Sequence, residues 1–164
     1  MNSYASRFIK PLLFICALLL FQASLAFSQT AAEMDALLKA EKVSAAVAAR
    51  FVLEAAGHLQ PGLTGQKAEA SAYDMAKTKG WLAGGAADEL NLKETAFLVM
   101  SAFDIKGGIM YSFFPGPRYA YREMVYRKLI QGRADPDMNV SGQRLLQIIG
   151  RVMSSAGAEA KGDI

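Results

Sequence analysis

Two stretches of the sequence share one pattern and decide the fold. Residues 72–102 read AYDMAKTKGWLAGGAADELNLKETAFLVMSA, and residues 120–150 read AYREMVYRKLIQGRADPDMNVSGQRLLQIIG. An ungapped shift of 48 residues superimposes them with 6 identities over 31 positions, and the apolar character matches better than the letters do. Each stretch reads as a helix, an apolar pair (Trp81-Leu82 or Leu129-Ile130), a glycine-containing loop, an Asn between two apolar residues, and a second helix. A unit this small cannot bury its own apolar face, so we predict that the copies pack together.

A partial third copy precedes the two, since residues 49–59 resemble residues 72–82 in spacing. Chance similarity between Ala-rich helices is the alternative explanation. The predicted fold class is all-α: a compact bundle of two helix-loop-helix repeats plus a leading N-terminal helix. The predicted divisions are a helical segment at 30–57, a two-repeat domain at 66–155 and a flexible tail at 156–164.

Glycine, proline and capping residues predict where the helices begin and end. Ser44 can cap a second segment within the long Ala-rich stretch, and Asn91 with Glu94 three residues later has the pattern of a capping box. The shift of 48 residues places Leu98 and Leu146 at matching positions, and both are predicted to be buried. The predicted amphipathic stripes of the two second helices are Leu92, Ala96, Val99, Met100 and Phe103, and Leu145, Ile148, Ile149 and Val152. The predicted helices cover residues 30–56, 66–79, a helix that begins at Leu92, 118–130 and 141–154.

The N-terminus has the three regions of a secretory signal peptide. Residues 1–10 carry two basic residues and no acid, and residues 11–21 form an apolar run of 11 residues. Ser24 and Ala26 are small residues at the −3 and −1 positions of a cleavage after Ala26, and cleavage after Ser28 is the alternative. A membrane anchor needs about 20 apolar residues, which is more than this run contains. We therefore predict a signal peptide over 1–26 and an exported, periplasmic or envelope-associated protein.

The charge of the chain argues against a nucleic-acid partner. Residues 118–128 read RYAYREMVYRK, a mixture of bases and aromatics that occurs in nucleic-acid-binding proteins. The chain has 18 basic and 15 acidic residues, and removal of the leader with Arg7 and Lys10 leaves 16 and 15. An exported, nearly neutral chain has little attraction for a polyanion. We predict no nucleic-acid binding, and contact with the membrane only through the signal sequence before cleavage.

Residues that build catalytic or metal sites are scarce. Cys16 lies in the leader, so the mature chain has no disulfide, thiolate zinc site or cysteine nucleophile. His58 follows a helix-ending glycine and is predicted to be a C-terminal residue favoured by the helix dipole. Residues 135–141 place oxygens alternately, as a calcium loop does, but Val140 and Leu146 replace its glycine and its bidentate acid. We predict a turn there, no catalytic residue, no metal and no cofactor.

The repeated unit resembles the S-layer homology (SLH) domain. The resemblance rests on Gly80-Trp81-Leu82 or Lys128-Leu129-Ile130, a Gly-rich loop, an Asp, an apolar-polar-apolar element and an Ala-rich helix, and it covers residues 49–152. It implies tandem modules in a helical bundle that docks exported proteins onto cell-wall polymers. The family's Thr-Arg-Ala-Glu motif, whose Arg contacts carbohydrate, is reduced to a Lys-Glu pair in 91–95 and is missing from 139–143.

The segment between the two units is unusually apolar. It lies between Gly107-Gly108 and Pro115-Gly116-Pro117, and it is too short to predict a helix. A linker without a role is usually polar, because exposed apolar area is costly. The segment is predicted either to fold back as a plug between the repeats or to form a binding patch, since aromatic residues and Arg are enriched at interface hot spots. The candidate binding residues are Tyr111, Phe113, Phe114, Arg118, Tyr121 and Arg122.

These observations together predict a non-catalytic binding module and not an enzyme. Its expected partner is a cell-wall polymer or another protein of the cell envelope. A carrier that holds a small apolar ligand between its helices is the alternative. The sequence predicts neither the identity of the partner nor the oligomeric state.

Overall fold

The computed structural model describes residues 31–60 and 62–162, and within them it contains helices and no β-strand. The all-α prediction is confirmed. The chain divides into residues 1–36 and 37–164, and the described part of the first unit, 31–36, is helical. The predicted signal peptide over 1–26 lies outside the described residues. The helices are α1 (31–39), α2 (Ala45–Ala55), α3 (Gly65–Thr78), α4 (Leu92–Ala102), α5 (Ile109–Phe113), α6 (Pro117–Tyr126) and α7 (Gly142–Gly162).

The predicted caps define the ends of two helices. Ser44 is the N-cap of α2, because its hydroxyl accepts a hydrogen bond from the Val47 N–H, so the break predicted there is confirmed. Asn91 and Glu94 form the predicted capping box at α4, each side chain accepting from the other's backbone N–H. α6 ends earlier than predicted, because Lys128 turns the backbone to a φ of 58°.

Two other predictions about helices need correction. The segment after Gly107-Gly108, predicted to be too short for a helix, contains the five-residue helix α5. α7 continues to Gly162, so most of the segment at 156–164 that was predicted to be a tail is helical. Seven consecutive Ala, Gly, Ser, Glu or Lys residues without proline can extend a helix that its packed first turns have already nucleated.

Three helix-loop-helix units meet through backbone hydrogen bonds at their loops, and the leading segment supplies one of them from Leu37 onward. Each unit places one apolar residue before its second helix: Val43 before α2, Leu90 before α4 and Val140 before α7. Leu90 N–H donates to Val43 O at 3.0 Å, Val140 N–H to Leu90 O at 3.1 Å, and Val43 N–H to Val140 O at 3.0 Å. The three hydrogen bonds form a closed ring. Residues 49–59, predicted to copy residues 72–82, begin within α2, which is the second helix of its unit, so the predicted alignment of the partial third copy is wrong.

The same cyclic order satisfies the first backbone donors of the three second helices, which have no partner within their own helix. Ala45 N–H donates to Asp88 O at 2.8 Å, in the loop of the second unit. Leu92 N–H donates to Met138 O at 2.9 Å in the third unit, and Gly142 N–H donates to Ala40 O at 2.9 Å in the first. Each unit thus completes the helix start of another, which explains why the copies fold as one body.

The alignment of the second and third units changes within their loops. Trp81 N–H bonds to Ala76 O and Leu129 N–H to Met124 O, so the shift of 48 is correct up to this point. The N-caps that follow are Asn91 and Ser141, which are 50 residues apart. The counterpart of Leu98 is therefore Ile148, and both are buried, whereas Leu146 is only half-buried. The prediction that Leu146 matches Leu98 is wrong, because the third unit has two extra loop residues.

Small and branched residues fill the centre of the bundle. Leu53, Leu92, Leu98, Met100 and Ile148 are among the largest side chains that are fully buried. Thr95 is also fully buried, and its hydroxyl donates to Asn91 O at 2.9 Å, so it brings no unsatisfied polar group into the core. The predicted stripe of α7 is confirmed, because all four of its residues are buried, and the predicted stripe of α4 is buried except for Phe103, which is half-buried.

Candidate functional site

The segment before α6 is positioned by close packing at both of its ends. A β-carbon at Gly107 would lie 2.6–2.8 Å from three atoms of the Tyr111 side chain, so only glycine fits under this ring. Pro117 occupies the first turn of α6, where its missing N–H costs nothing. Tyr111 packs edge-on against Phe97, with ring centroids 6.5 Å apart, and burial raises the pKa of the Tyr111 hydroxyl.

The remaining large side chains of this segment point to solvent. None of the α5 residues is buried, and Tyr111 is the only half-buried one among its large side chains. The prediction of a plug between the repeats is therefore wrong. A five-residue helix presents only one side to the bundle, and Tyr111 occupies that side. The exposed fractions are 74% for Ile109, 61% for Met110, 75% for Phe113 and 64% for Phe114.

α6 presents three of the candidate residues on one cleft. Ala120 and Met124 are fully buried, so the other side of the helix, with Arg118, Tyr121 and Arg122, lies outward. Tyr121 is half-buried, and its hydroxyl donates to Ala134 O at 2.6 Å, which fixes the ring in place. The cleft has a volume of about 620 Å³, and its walls are Lys93, Pro117, Arg118, Tyr121, Arg122, Pro136 and Asp137.

Three cationic side chains line the cleft. Lys93 is paired with a carboxylate, whereas Arg118 and Arg122 are not paired with one among the described residues. Lys93, at the start of α4, forms an ion pair with Asp137, and this hydrogen bond raises the Lys93 pKa. Arg118 and Arg122 are exposed and form no ion pair with any described residue. They are four residues apart on one helix, so both guanidinium groups can reach a single ligand. Guanidinium groups bind carboxylate and phosphate in a bidentate manner.

Glu123 connects α6 to the start of the exposed segment. Its carboxylate accepts from Arg127 Nε at 2.7 Å and from the Gly108 N–H. Burial raises the pKa of this carboxyl, but the hydrogen bonds from Arg127 and Gly108 outweigh burial and hold the pKa below its ordinary value. Arg127 also donates to Lys106 O. The linker before α5 is therefore held by this charged network as well as by the packing of Gly107 against Tyr111.

The six candidate residues lie on one continuous face. Phe113, Phe114 and Arg118 line one groove, and Tyr111 and Arg122 line another beside it. Arg118 and Arg122 also line the cleft, which joins the two grooves. Sequence reasoning missed the contribution of three residues to this face: Lys93, Tyr119 and Asp137. For Lys93, the signal in the sequence was the Lys93-Glu94 pair at the start of α4.

No protein-family model, curated protein or solved structure matches this chain. In the part of the chain that the structure describes, no helix is both long enough and apolar enough to cross a membrane. Because no similar protein indicates a function, the side chains around the cleft at α6 are the basis for assigning one.

The other polar residues considered from the sequence have structural contacts. His58 Nε2 lies 2.7 Å from Ala102 O, at the end of α4, and its ring packs against Trp81 with centroids 5.9 Å apart. Asp135 accepts from the Asp137 N–H at 3.0 Å and forms the predicted turn. Among residues 31–60 and 62–162, no three His, Asp or Glu side chains are placed to hold a metal ion.

Proposed function

We propose that this chain is an exported, non-catalytic binding module that associates with an acidic polymer of the cell envelope. The observation that carries the proposal is the cleft at α6, where Arg118, Tyr121 and Arg122 converge. Two guanidinium groups without a carboxylate partner among the described residues attract a ligand that supplies carboxylates or phosphates.

The aromatic component of the cleft favours a polymer over a free anion. Tyr121 is fixed by its hydrogen bond to Ala134 O, so it loses little conformational freedom when a ligand packs on it. A fixed ring beside two guanidinium groups suits a polymer that offers both a surface to pack on the ring and repeated acidic groups.

Two features of the sequence also support this proposal. The leader pattern over 1–26 directs the chain to the compartment where envelope polymers lie. The resemblance to the SLH domain implies docking onto such polymers, and Lys93, which stands in the stretch that matches the family's binding motif, lies in the cleft. The proposal therefore places the ligand between the start of α4 and the outer side of α6.

One of the cavities that could serve a carrier of an apolar ligand lies beside the end of α4. This cavity has a volume of about 720 Å³ and includes Phe103, Ile105 and Leu129 in its wall. Asp104 and Arg127 also line it, and these charges would have to be desolvated by an apolar ligand. Lipid that stays bound through purification would favour the carrier over the polymer-binding module.

The proposal is tested by co-sedimentation of the purified protein with cell-wall sacculi of the source cell. Sacculi that retain their acidic polymers should bind the protein, and sacculi stripped of them should not. The double variant Arg118→Ala with Arg122→Ala should bind about tenfold more weakly or worse, because each charged hydrogen bond contributes about 1.5–3 kcal/mol.

A matched control removes the same charge elsewhere. Lys67 and Arg133 are exposed and lie outside the cleft, so Lys67→Ala with Arg133→Ala should leave binding unchanged. Equal binding by the two double variants, or equal binding to stripped and intact sacculi, would overturn the proposal. Circular dichroism and the thermal midpoint establish that each variant is folded.

A further inference from the structure

Four exposed apolar side chains, Ile109, Met110 and Phe113 of α5 and its C-cap Phe114, form a second surface that we call the α5 knob. They are the first two and the last two residues of the segment 109–114, and each side chain is more than half exposed. The knob lies beside the cleft, but none of its side chains lines it. An exposed apolar surface of this kind is typical of a site that contacts a protein or a membrane, because its exposure to water is unfavourable.

Basic residues border the α5 knob on its α6 side. Arg118 lines the same groove as Phe113 and Phe114, and Arg122 lines the same groove as Ile109 and Met110. Residues 104–128 contain five basic and two acidic residues. One of the acids, Glu123, already accepts hydrogen bonds from Arg127 and Gly108. In the two grooves that border the knob, Arg118 and Arg122 therefore face a single carboxylate, Glu123, which is already paired with Arg127.

We propose that the α5 knob inserts into the surface of a membrane that contains anionic lipids. Large apolar side chains enter the boundary between headgroups and acyl chains, to a depth of about 5–10 Å, while basic residues remain at the headgroups. The knob with Arg118 and Arg122 beside it has this arrangement on one small projection. Tyr119 is half-buried and packs next to Phe114, with ring centroids 6.5 Å apart. Insertion of the knob would place this ring near the lipid headgroups, where aromatic residues are enriched.

A second copy of the chain fits this surface less well. Association of two knobs about a twofold axis would place the same patch of both copies face to face. Arg118 and Arg122 of one copy would then lie near those of the other, and like charges brought together at an interface are unfavourable. An anionic lipid surface satisfies the apolar side chains and the cations together.

The inference goes beyond the proposed function and does not depend on it. The polymer would bind in the cleft, whereas the lipid surface would contact side chains of α5 that do not line the cleft. The sequence alone predicted membrane contact only through the leader. The exposure of the knob, which the sequence does not reveal, is the reason to extend that contact to the mature chain.

The inference is tested by sedimentation of the purified, exported protein with vesicles. Vesicles of phosphatidylcholine and phosphatidylglycerol in a 3:1 ratio should bind the protein, and vesicles of phosphatidylcholine alone should bind it more weakly. Phe113→Ser with Phe114→Ser should weaken binding by roughly tenfold or more, because two large apolar groups no longer enter the lipid. Raising the salt concentration should weaken binding to the anionic vesicles only.

The control removes two exposed apolar side chains outside the knob. Leu38 and Met153 are 46% and 52% exposed, and Leu38→Ser with Met153→Ser should bind vesicles like the unmodified protein. An unchanged thermal midpoint establishes that the Phe113 and Phe114 variant is folded, and Ile109→Ser with Met110→Ser is an independent second variant. No binding of the unmodified protein to anionic vesicles, or equal binding by the knob and control variants, would overturn the inference. A dimer that the knob variant abolishes, without vesicle binding, would assign the surface to a second copy and would also overturn it.

Sacculus binding separates this inference from the proposed function. The knob variant should lose vesicle binding and keep sacculus binding. A protein that binds vesicles through the knob but never binds sacculi would refute the polymer proposal and support the lipid inference. The opposite result would refute the lipid inference and leave the polymer proposal supported.

Discussion

Gly142 lies directly against the backbone of Leu37. A β-carbon at position 142 would be 1.7 Å from the Leu37 carbonyl oxygen and 2.6 Å from its carbonyl carbon. The Gly142 N–H donates to Ala40 O at 2.9 Å in the same place. This contact is where the start of α7 meets the end of α1 and the loop that follows it, so it closes the cyclic order of the three units.

We expect Gly142→Ala to destabilise the protein by about 3 kcal/mol, near the upper end of the range for overpacking. The obstructing atoms are backbone atoms, which cannot rotate away as a flexible side chain can. Chemical denaturation followed by circular dichroism measures the free energy of unfolding. Gly150→Ala is the control in the same helix, because nothing lies within 4 Å of its β-carbon position, and it should stabilise the protein by about 0.5–1 kcal/mol. Equal stability of the two variants would contradict the close contact at Leu37.

The register of the third unit gives a second prediction. Leu98→Ala and Ile148→Ala should each cost about 2–5 kcal/mol, because both side chains are fully buried. Leu146→Ala should cost less than half as much, since Leu146 is only half-buried. Thermal or urea unfolding of the three variants measures the order. A larger loss at Leu146 than at Ile148 would show that the shift of 48 residues continues into α7.

Tyr73 and Tyr121 show why the sequence predicts most of the fold but not this register. Both hydroxyls donate to a loop carbonyl at 2.6 Å, but the acceptors are Gly84 and Ala134, which are 11 and 13 residues away. Apolar spacing and helix caps are local features, so the helices and the repeated unit could be predicted. The two extra residues lie in a glycine-containing loop, whose residue types do not mark the alignment. Two coincidental identities after the loop, including Leu98 with Leu146, supported the wrong register.

Less of the candidate site could be predicted. The residue types were informative, and Arg118 and Arg122 do lie on one face with the aromatic residues. Composition does not determine which way a short segment faces, so a plug and an exposed patch were equally compatible with Phe113 and Phe114. Lys93 reaches the cleft only because the loop of the third unit packs against the start of α4. The contact between this loop and α4 depends on the ring of hydrogen bonds that joins the three units, and local sequence patterns do not predict that ring.

Export gives a third prediction. N-terminal sequencing of the protein from its native cell should begin at Phe27, after cleavage at Ala26, or at Gln29, after cleavage at Ser28. Subcellular fractionation should place this processed form outside the cytoplasm. An intact Met1 on a cytoplasmic protein would contradict export and remove the reason to expect an envelope partner.

The final prediction concerns Glu123 and pH. Its carboxyl pKa is lower in the folded protein than in the unfolded chain, because the hydrogen bonds from Arg127 and Gly108 outweigh burial. A lowered pKa contributes stability that is fully present above the ordinary value of 4.5 and is lost as the pH falls through the folded value. Glu123→Gln should therefore destabilise the protein by about 1.5 kcal/mol at pH 7, and by much less near pH 3.

Urea unfolding at pH 7, 5 and 3 measures this difference, and hydrogen exchange at the Gly108 amide reports the local contact directly. Exchange at Gly108 should accelerate in the variant at pH 7, because its N–H then donates to a neutral acceptor that binds it more weakly. Asp74→Asn is the control, since Asp74 is exposed on α3 and its loss removes the same charge. If Asp74→Asn and Glu123→Gln change stability equally at every pH, the effect is one of net charge. In that case the Glu123 carboxylate does not hold the linker that positions the α5 knob.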